Sequence, residues 1–276
     1  MDVAIEKTAR KIRQTILKTA CFGNGGHIAP ALSMADIIAV LYFDGVLRYD
    51  AKYPDWDGRD FFILSKGHAC LALYAALGMA EYFPAEKLKT FLQPGTIFGG
   101  HPNMHYIPGV EASTGALGHG MLFAGGIATA LKMDGKDNQV YTIVGDGECE
   151  EGSMWEGFMS AVYRELDNFV VIIDHNKFQA MDKLESILGL HDFGSKLRAI
   201  GFSVADIDGH DYGAIKQALL EREKGKPRVI IANTIKGKGI SYMEGKPLWH
   251  VRMPNAEELK IALRELDMTE EELKQL

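Results

Sequence analysis

Apolar residues recur every three or four positions between residues 3 and 20, which predicts an amphipathic helix at the N-terminal end. A second helix is expected over "MADIIAVLYF", with Ser33 placed to cap it. "FFILS" (61–65) reads as a short apolar strand, and "ACLALYAALGMAEYF" after it as a helix. Pro84 suits the first turn of a further helix, "AEKLKTFL". Residues 93–114 are rich in Gly, Pro and His and predict a long loop. "GALGHGMLFAGGIATALKMDG" has helical patterning studded with small residues, which suits close helix packing.

From residue 139 the pattern becomes regular. "QVYTIV", "FVVIID", "FSVADI" and "RVIIANTI" read as strands, with helical "SMWEGFMSAVYREL" and "YGAIKQALLEREKG" among them. Strands alternating with helices indicate βαβ units. The expected fold class is α/β, a mostly parallel sheet with helices on both faces. One domain over residues 1–276 is expected, with a charged helical tail from about residue 251 packing outside the sheet.

Composition narrows the function. The chain of 276 residues is 47% hydrophobic, enough for one large core, and its net charge of −7 argues against nucleic-acid binding. Its three cysteines form no CxxC pair, so the expectation is a cytoplasmic protein without a disulfide framework or thiolate zinc site. No apolar run approaches the length of a membrane span, and the N-terminal stretch lacks the apolar region of a signal peptide.

The chemistry concentrates at "GDGECEEG" (145–152). Asp146 follows one predicted strand and Asn176 follows the next, thirty positions on. Parallel strands bring both to the sheet edge where ligands bind in open α/β folds. A carboxylate and an amide oxygen suit a hard cation such as Mg²⁺ or Ca²⁺, which completes its shell with phosphate oxygens and water. The glycines let the backbone approach closely. A tight strand–helix turn with ordinary acids is the other reading of "GDG" by itself.

"GDGECEEG" followed by "DHNKF" resembles the signature of thiamine-diphosphate enzymes. "GGHIAPALSMADIIAVLYF", "FILSKGHACLALYA" and "FGGHPNMHYIPGVEASTGALGHG" resemble, in order, segments of the diphosphate-binding part of transketolases. The resemblance spans roughly residues 10–250. It implies Asp146, Asn176 and the Phe178 carbonyl as ligands of Mg²⁺ or Ca²⁺, with Asn176 also counted among the cofactor contacts. It implies that the Gly147 amide and His68 contact the diphosphate, and that Gly115 and Leu117 lie beside the aminopyrimidine. His27, His101 and His250 correspond to a cluster around the thiazolium and the substrate hydroxyls, His250 on the loosest match. Glu151 corresponds to a glutamate in a carboxylate network between subunits.

The chain departs from the family pattern at Ile28-Ala29, at Lys66 (often Asn) and at His119 (often Gln). Lys66 would add a cation near the diphosphate, and His119 bears on the pyrimidine pocket. His105 and His175 have no counterpart and carry no assigned role.

The resemblance further implies a division of labour. In the family, the glutamate that activates the cofactor lies in a separate pyrimidine-binding domain, and nothing after Ile235 resembles that domain. The implied protein is the N-terminal subunit of a split transketolase, in which two copies of each subunit hold the cofactor at their junction. Its reaction would move a two-carbon ketol unit from a ketose phosphate to an aldose phosphate. A related transferase acting on a branched or sulfonated sugar, and a non-catalytic cofactor- or partner-binding subunit, remain the alternatives.

Overall fold

A computed structural model describes residues 2–180 and 182–276. Five parallel strands, β1 (Phe61–Leu64), β2 (Val140–Gly145), β3 (Phe169–His175), β4 (Ser203–Asp208) and β5 (Arg228–Asn233), form one sheet in the order β1-β2-β3-β5-β4. Register aligns Gly145 with Asp174 and Asp174 with Ala232, so β2, β3 and β5 end at nearly one level. The parallel α/β class predicted from the alternation is the observed one.

Side chains alternate across the sheet with the period of two that a strand imposes. Tyr141, Ile143, Val170, Ile172 and Ile230 enter one core, while Val140, Val144, Val171, Ile173 and Ile231 enter the other. The first core is covered by α1 (Asp2–Gly23), α2 (Ile28–Ser33), α3 (Ala35–Phe43), α4 (Cys70–Met79) and later α9 (Tyr212–Leu220). The second lies under α5 (Gly120–Met133), α6 (Gly152–Tyr163), the short α7 (Leu184–Ile187) and α8 (Phe193–Ile200). The C-terminal α10 (Ala256–Glu265) and α11 (Glu270–Leu273) both start with capping boxes. They lie against α1, where Gln14 Nε2 donates to the Leu266 carbonyl (2.8 Å) and Leu263 and Leu266 are buried.

Several local expectations change. Ser33 does not cap α3: Met34 occupies that position, without a side-chain cap. The Ser33 hydroxyl, fully buried at the end of α2, instead donates its one hydrogen to Asp174 Oδ2 (2.5 Å), with Pro30 O 3.0 Å away, a charge-assisted bond in place of the amide-accepting role of a cap. Residues 85–90 form a 3₁₀ segment, and α5 begins only at Gly120. The residues from 115 to 119 belong to the loop, which includes left-handed Gly118. The helices α7 and α8 have no clear periodic signal: their sequence, "LESILGLHDFGSKLRAI", interrupts its apolar spacing with Gly189 and left-handed His191 and Asp192.

Candidate active site

A cleft of about 370 Å³ opens at the C-terminal ends of β2, β3 and β5. Of the residues singled out in the sequence, it brings together His27, His68, Gly115, Leu117, Asp146, Gly147, Glu151, Asn176, Phe178 and His250. Its volume is in the range of cofactor sites.

Asp146 leaves the end of β2 and is only 2% exposed, so it is not the surface carboxylate that a loop acid suggests. Its Oδ1 accepts from the Gly147 amide (2.8 Å) and its Oδ2 from the Lys177 amide (2.6 Å). These use two of the roughly four acceptor positions of a carboxylate. Lys177 adopts a left-handed conformation (φ 69°), which turns its amide back towards β2. Asn176, just past β3, donates through Nδ2 to Asp174 Oδ2 (3.2 Å) and accepts through Oδ1 from the Phe178 amide (3.1 Å). The bond to Asp174 fixes which end of the amide is oxygen. Among the described residues no cluster of three His, Cys, Asp or Glu side chains is arranged to hold a metal ion. The oxygen set of Asp146, Asn176 and the Phe178 backbone fits a hard cation that takes few protein ligands. At Gly147 a Cβ would fall 2.8 Å from Gln179 Cγ, so glycine keeps this turn close to the neighbouring loop.

Three histidines face one another across the cleft. Ring centroids of His27, His68 and His250 stand 5.1–5.2 Å apart. Burial pushes the pKa of His27 down to about 4, helped by nearby His101, Lys66 and Lys236. Burial and Lys236 push His250 down to about 3, and burial holds His68 well below the usual histidine value. All three are neutral at pH 7, so each offers one N–H donor and one ring-nitrogen acceptor. His101 is exposed, and its ring stands against Gly115, where a Cβ would lie 3.0 Å from its Cδ2.

Lys66 lines the cleft, where a cation near the diphosphate was expected, but its charge is already paired. It is 1% exposed, and its ammonium is paired with Asp174 and donates to Pro30 O (3.1 Å). Asp174, fully buried, gathers Lys66, the Ser33 and Thr234 hydroxyls and the Asn176 amide. His119 is exposed, bonds the Leu117 carbonyl within its own loop (3.0 Å) and does not line the cleft. Glu151 stands exposed at the mouth, at the N-terminal end of α6. His105 lies outside the cleft, whereas His175 places Nδ1 3.3 Å from Asp146 Oδ2.

Four further residues shape the site. Glu148 is buried and accepts from Ser65 Oγ (2.5 Å) and the amides of Gly118 (2.9 Å) and Gly145 (3.1 Å), tying three loops together. Burial raises its pKa, an effect these donors partly offset. Lys236 donates to Gln179 O (2.8 Å) and lies 3.1 Å from His250 Nδ1; burial and Lys66 lower its pKa to about 8. Gln179 and Glu150 complete one wall. Of these, Glu148 and Glu150 lie in the acidic stretch "GDGECEEG", whereas Lys236 and Gln179 left no signal in the sequence; Asp174 shows there as an acid inside the apolar strand "FVVIIDH".

Residues 5–273 match the thiamine diphosphate binding domain of transketolase. A 6-deoxy-6-sulfo-D-fructose transketolase subunit from a Clostridium species is 40% identical over 96% of this chain and 97% of its own length. An apulose-4-phosphate transketolase subunit from Actinobacillus succinogenes is 40% identical over 95% of both chains. The structure of transketolase from Leishmania mexicana superposes with a TM-score of 0.90 at 32% identity, covering 96% of this chain and 41% of that one. This chain therefore spans about two fifths of the solved transketolases, and nearly all of the relatives that are named as subunits. A β2–β3 edge with this oxygen pair and histidine triangle, and a family match that runs almost from end to end, lead to one conclusion: the chain belongs to the transketolase family and represents its thiamine-diphosphate-binding domain.

Proposed function

We propose that this chain is the diphosphate-binding subunit of a two-subunit, thiamine-diphosphate-dependent transketolase. The observation that carries this reading is the single cleft in which an oxygen pair, Asp146 and Asn176, lies beside the neutral triangle of His27, His68 and His250. Bound thiamine diphosphate supplies an electron sink for breaking and making the bond next to a ketose carbonyl. The chain's own residues bind and orient. Asp146, Asn176 and the Phe178 carbonyl hold Mg²⁺ or Ca²⁺, and the Gly147 amide and His68 take the diphosphate. Gly115 and Leu117 form the floor beside the aminopyrimidine. His27, His101 and His250 hold substrate hydroxyls and pass protons; the neutral imidazoles of His27 and His250 can both give and accept them.

The partner supplies the pyrimidine-binding wall. Two neighbouring helices leave apolar side chains in solvent: Leu122, Phe123 and Met133 on α5, and Met159 and Tyr163 on α6. At the outward Gly126 a Cβ would meet nothing within 4 Å, so this position permits close approach. This face and the exposed Glu151 next to it support a subunit interface, most simply with two copies of each chain related by a two-fold axis. The sugar is a ketose phosphate passing two carbons to an aldose phosphate. The names of the relatives, one for a sulfo-fructose and another for apulose-4-phosphate, favour a branched or sulfonated sugar as the second reading. Three free cysteines, two of them buried, support a cytoplasmic location. No described helix is long and apolar enough to cross a membrane.

The experiment is an assay of ketol transfer with Mg²⁺ and thiamine diphosphate, first with this chain and then with a candidate pyrimidine-domain chain added. Activity is expected only in the mixture. Full activity without a partner, or failure of every plausible partner to associate, would refute the two-subunit reading.

The histidines separate binding from turnover. His68→Ala is expected to raise the KM for thiamine diphosphate. His101→Ala and His27→Ala are expected to lower turnover or raise the donor KM at saturating cofactor, by roughly 10²- to 10⁴-fold where proton transfer is lost. Steady-state kinetics of the three variants decide this; an unaffected His101→Ala enzyme would remove its assigned role.

A further inference from the structure

The mouth of the cleft is formed by a segment, residues 176–180 and 182–192, that is packed through few apolar side chains. Of its described residues only Leu184 and Leu190 are buried hydrophobics. It nonetheless carries Asn176, Phe178 and Gln179 into the site. Two connections between this segment and the turn after β2 converge on one side chain, Glu150. Its Oε2 accepts from Gln179 Nε2, and its Oε1 accepts from the Gly189 amide (3.1 Å). Gln179 thereby lies flat on Gly147, while its own carbonyl receives the Lys236 ammonium (2.8 Å).

We infer that Glu150 is a positioning residue, a clamp that fastens the 176–192 segment against the Asp146–Gly147 turn and so sets the spacing of Asn176 and Phe178 from Asp146. The inference rests on the functional reading above for its ligand, but not for the clamp itself. A bidentate clasp of this kind acts through geometry. A carboxylate there is otherwise unfavourable, since its charge repels the diphosphate that the site is proposed to take. Among the described residues the hydrogen bonds of the Glu150 carboxylate go to Gln179 and Gly189 and not to the proposed metal ligands or the histidines, so its effect reaches the ligand through those two partners.

The geometric and electrostatic roles predict opposite signs. Removing the clamp loosens the segment and weakens binding, on the order of 10- to 100-fold by analogy with outer-shell partners of metal sites. Removing only a repelling charge tightens binding. Glu150→Gln keeps the clasp, because the new amide can donate to Gln179 Oε1 after that side chain turns over and still accept from Gly189.

Two measurements test this on the full chain and on its reconstituted pair. The first is hydrogen exchange of the 176–192 amides in the wild type, Glu150→Ala and Glu150→Gln, without cofactor. The second is calorimetric titration of the pair with thiamine diphosphate and Mg²⁺. The expected result is faster exchange around Gly189 and at least roughly tenfold weaker binding in Glu150→Ala, with both largely recovered in Glu150→Gln. Unchanged exchange in Glu150→Ala overturns the clamp. Faster exchange with equal or tighter binding overturns the positioning role. A wild-type pair that binds no thiamine diphosphate would remove the functional reading, while the exchange comparison would still decide the clamp.

Discussion

Replacing Asp146 by alanine is expected to abolish Mg²⁺-dependent binding of thiamine diphosphate by the reconstituted pair. The proposed site supplies only two side-chain oxygens, from Asp146 and Asn176, and Asp146 provides the only carboxylate. A sparse site for a hard cation has no substitute for that charge. The same substitution also has a structural cost, because Asp146 is buried and accepts from the Gly147 and Lys177 amides. A buried donor left without a partner costs about 1–3 kcal/mol, and each of these two amides, being part-buried, falls towards the lower end. The chain should still fold, with a lower denaturation midpoint and unchanged far-ultraviolet circular dichroism. Calorimetry on the pair measures the binding, and a urea titration measures the stability. Cofactor affinity equal to that of the wild type would remove Asp146 from the metal site, even if stability fell as expected.

The second large effect is expected at Asp174, which has no counterpart among the residues assigned to catalysis. Asp174→Ala would leave the Lys66 ammonium, 1% exposed, without its counter-charge. It would also strip the Ser33 and Thr234 hydroxyls and the Asn176 amide of their acceptor. Breaking one side of a buried ion pair costs about 3–5 kcal/mol. Against a typical total of about 5–15 kcal/mol, that is enough to unfold much of the population on modest warming. Adding Lys66→Met should recover part of the loss, since it removes the stranded charge; the difference between the single and double variants measures the coupling.

The acid dependence of Asp174 has a definite sign. Burial alone would raise the Asp174 pKa, but the Lys66 ammonium and the two hydroxyls outweigh it and hold the carboxyl below its usual range. The unfolded chain therefore takes up this proton first. The stabilisation is complete above about pH 4, the ordinary aspartate value, and is lost as pH falls through the lower folded value. Asp174→Asn should flatten that part of the acid-unfolding curve. A thermal midpoint for Asp174→Ala within error of the wild type would show that the pair contributes nothing net.

The strands and the class of the sheet were legible because they depend on local patterning. "QVYTIV" and "FVVIID" are buried on both faces, so they read as continuous apolar runs, and alternation with helical segments implies parallel pairing. Asp146 and Asn176 were legible as a pair for a topological reason: residues that follow consecutive parallel strands share an edge. The histidines were legible only through resemblance, because nothing local tells His27, which enters the cleft, from His105, which stays outside it.

By itself, then, the sequence determined the alternating architecture, the edge at which the site lies and the residue types that collect there. Tertiary structure decided which of those residues have partners. Ser33 looked like a helix cap because capping is a local habit of serine, yet a carboxylate 141 positions away accepts its hydrogen bond. Lys66 was a cation expected near the diphosphate, which the fold pairs with buried Asp174, and Glu150 was one of the three glutamates in "GDGECEEG" until the 176–192 segment came down on it. Periodicity and turn chemistry act over a few residues and can be read along the chain. Desolvation, ion pairing and hydrogen-bond partnership depend on distances between segments, and those exist only once the sheet has closed its two cores.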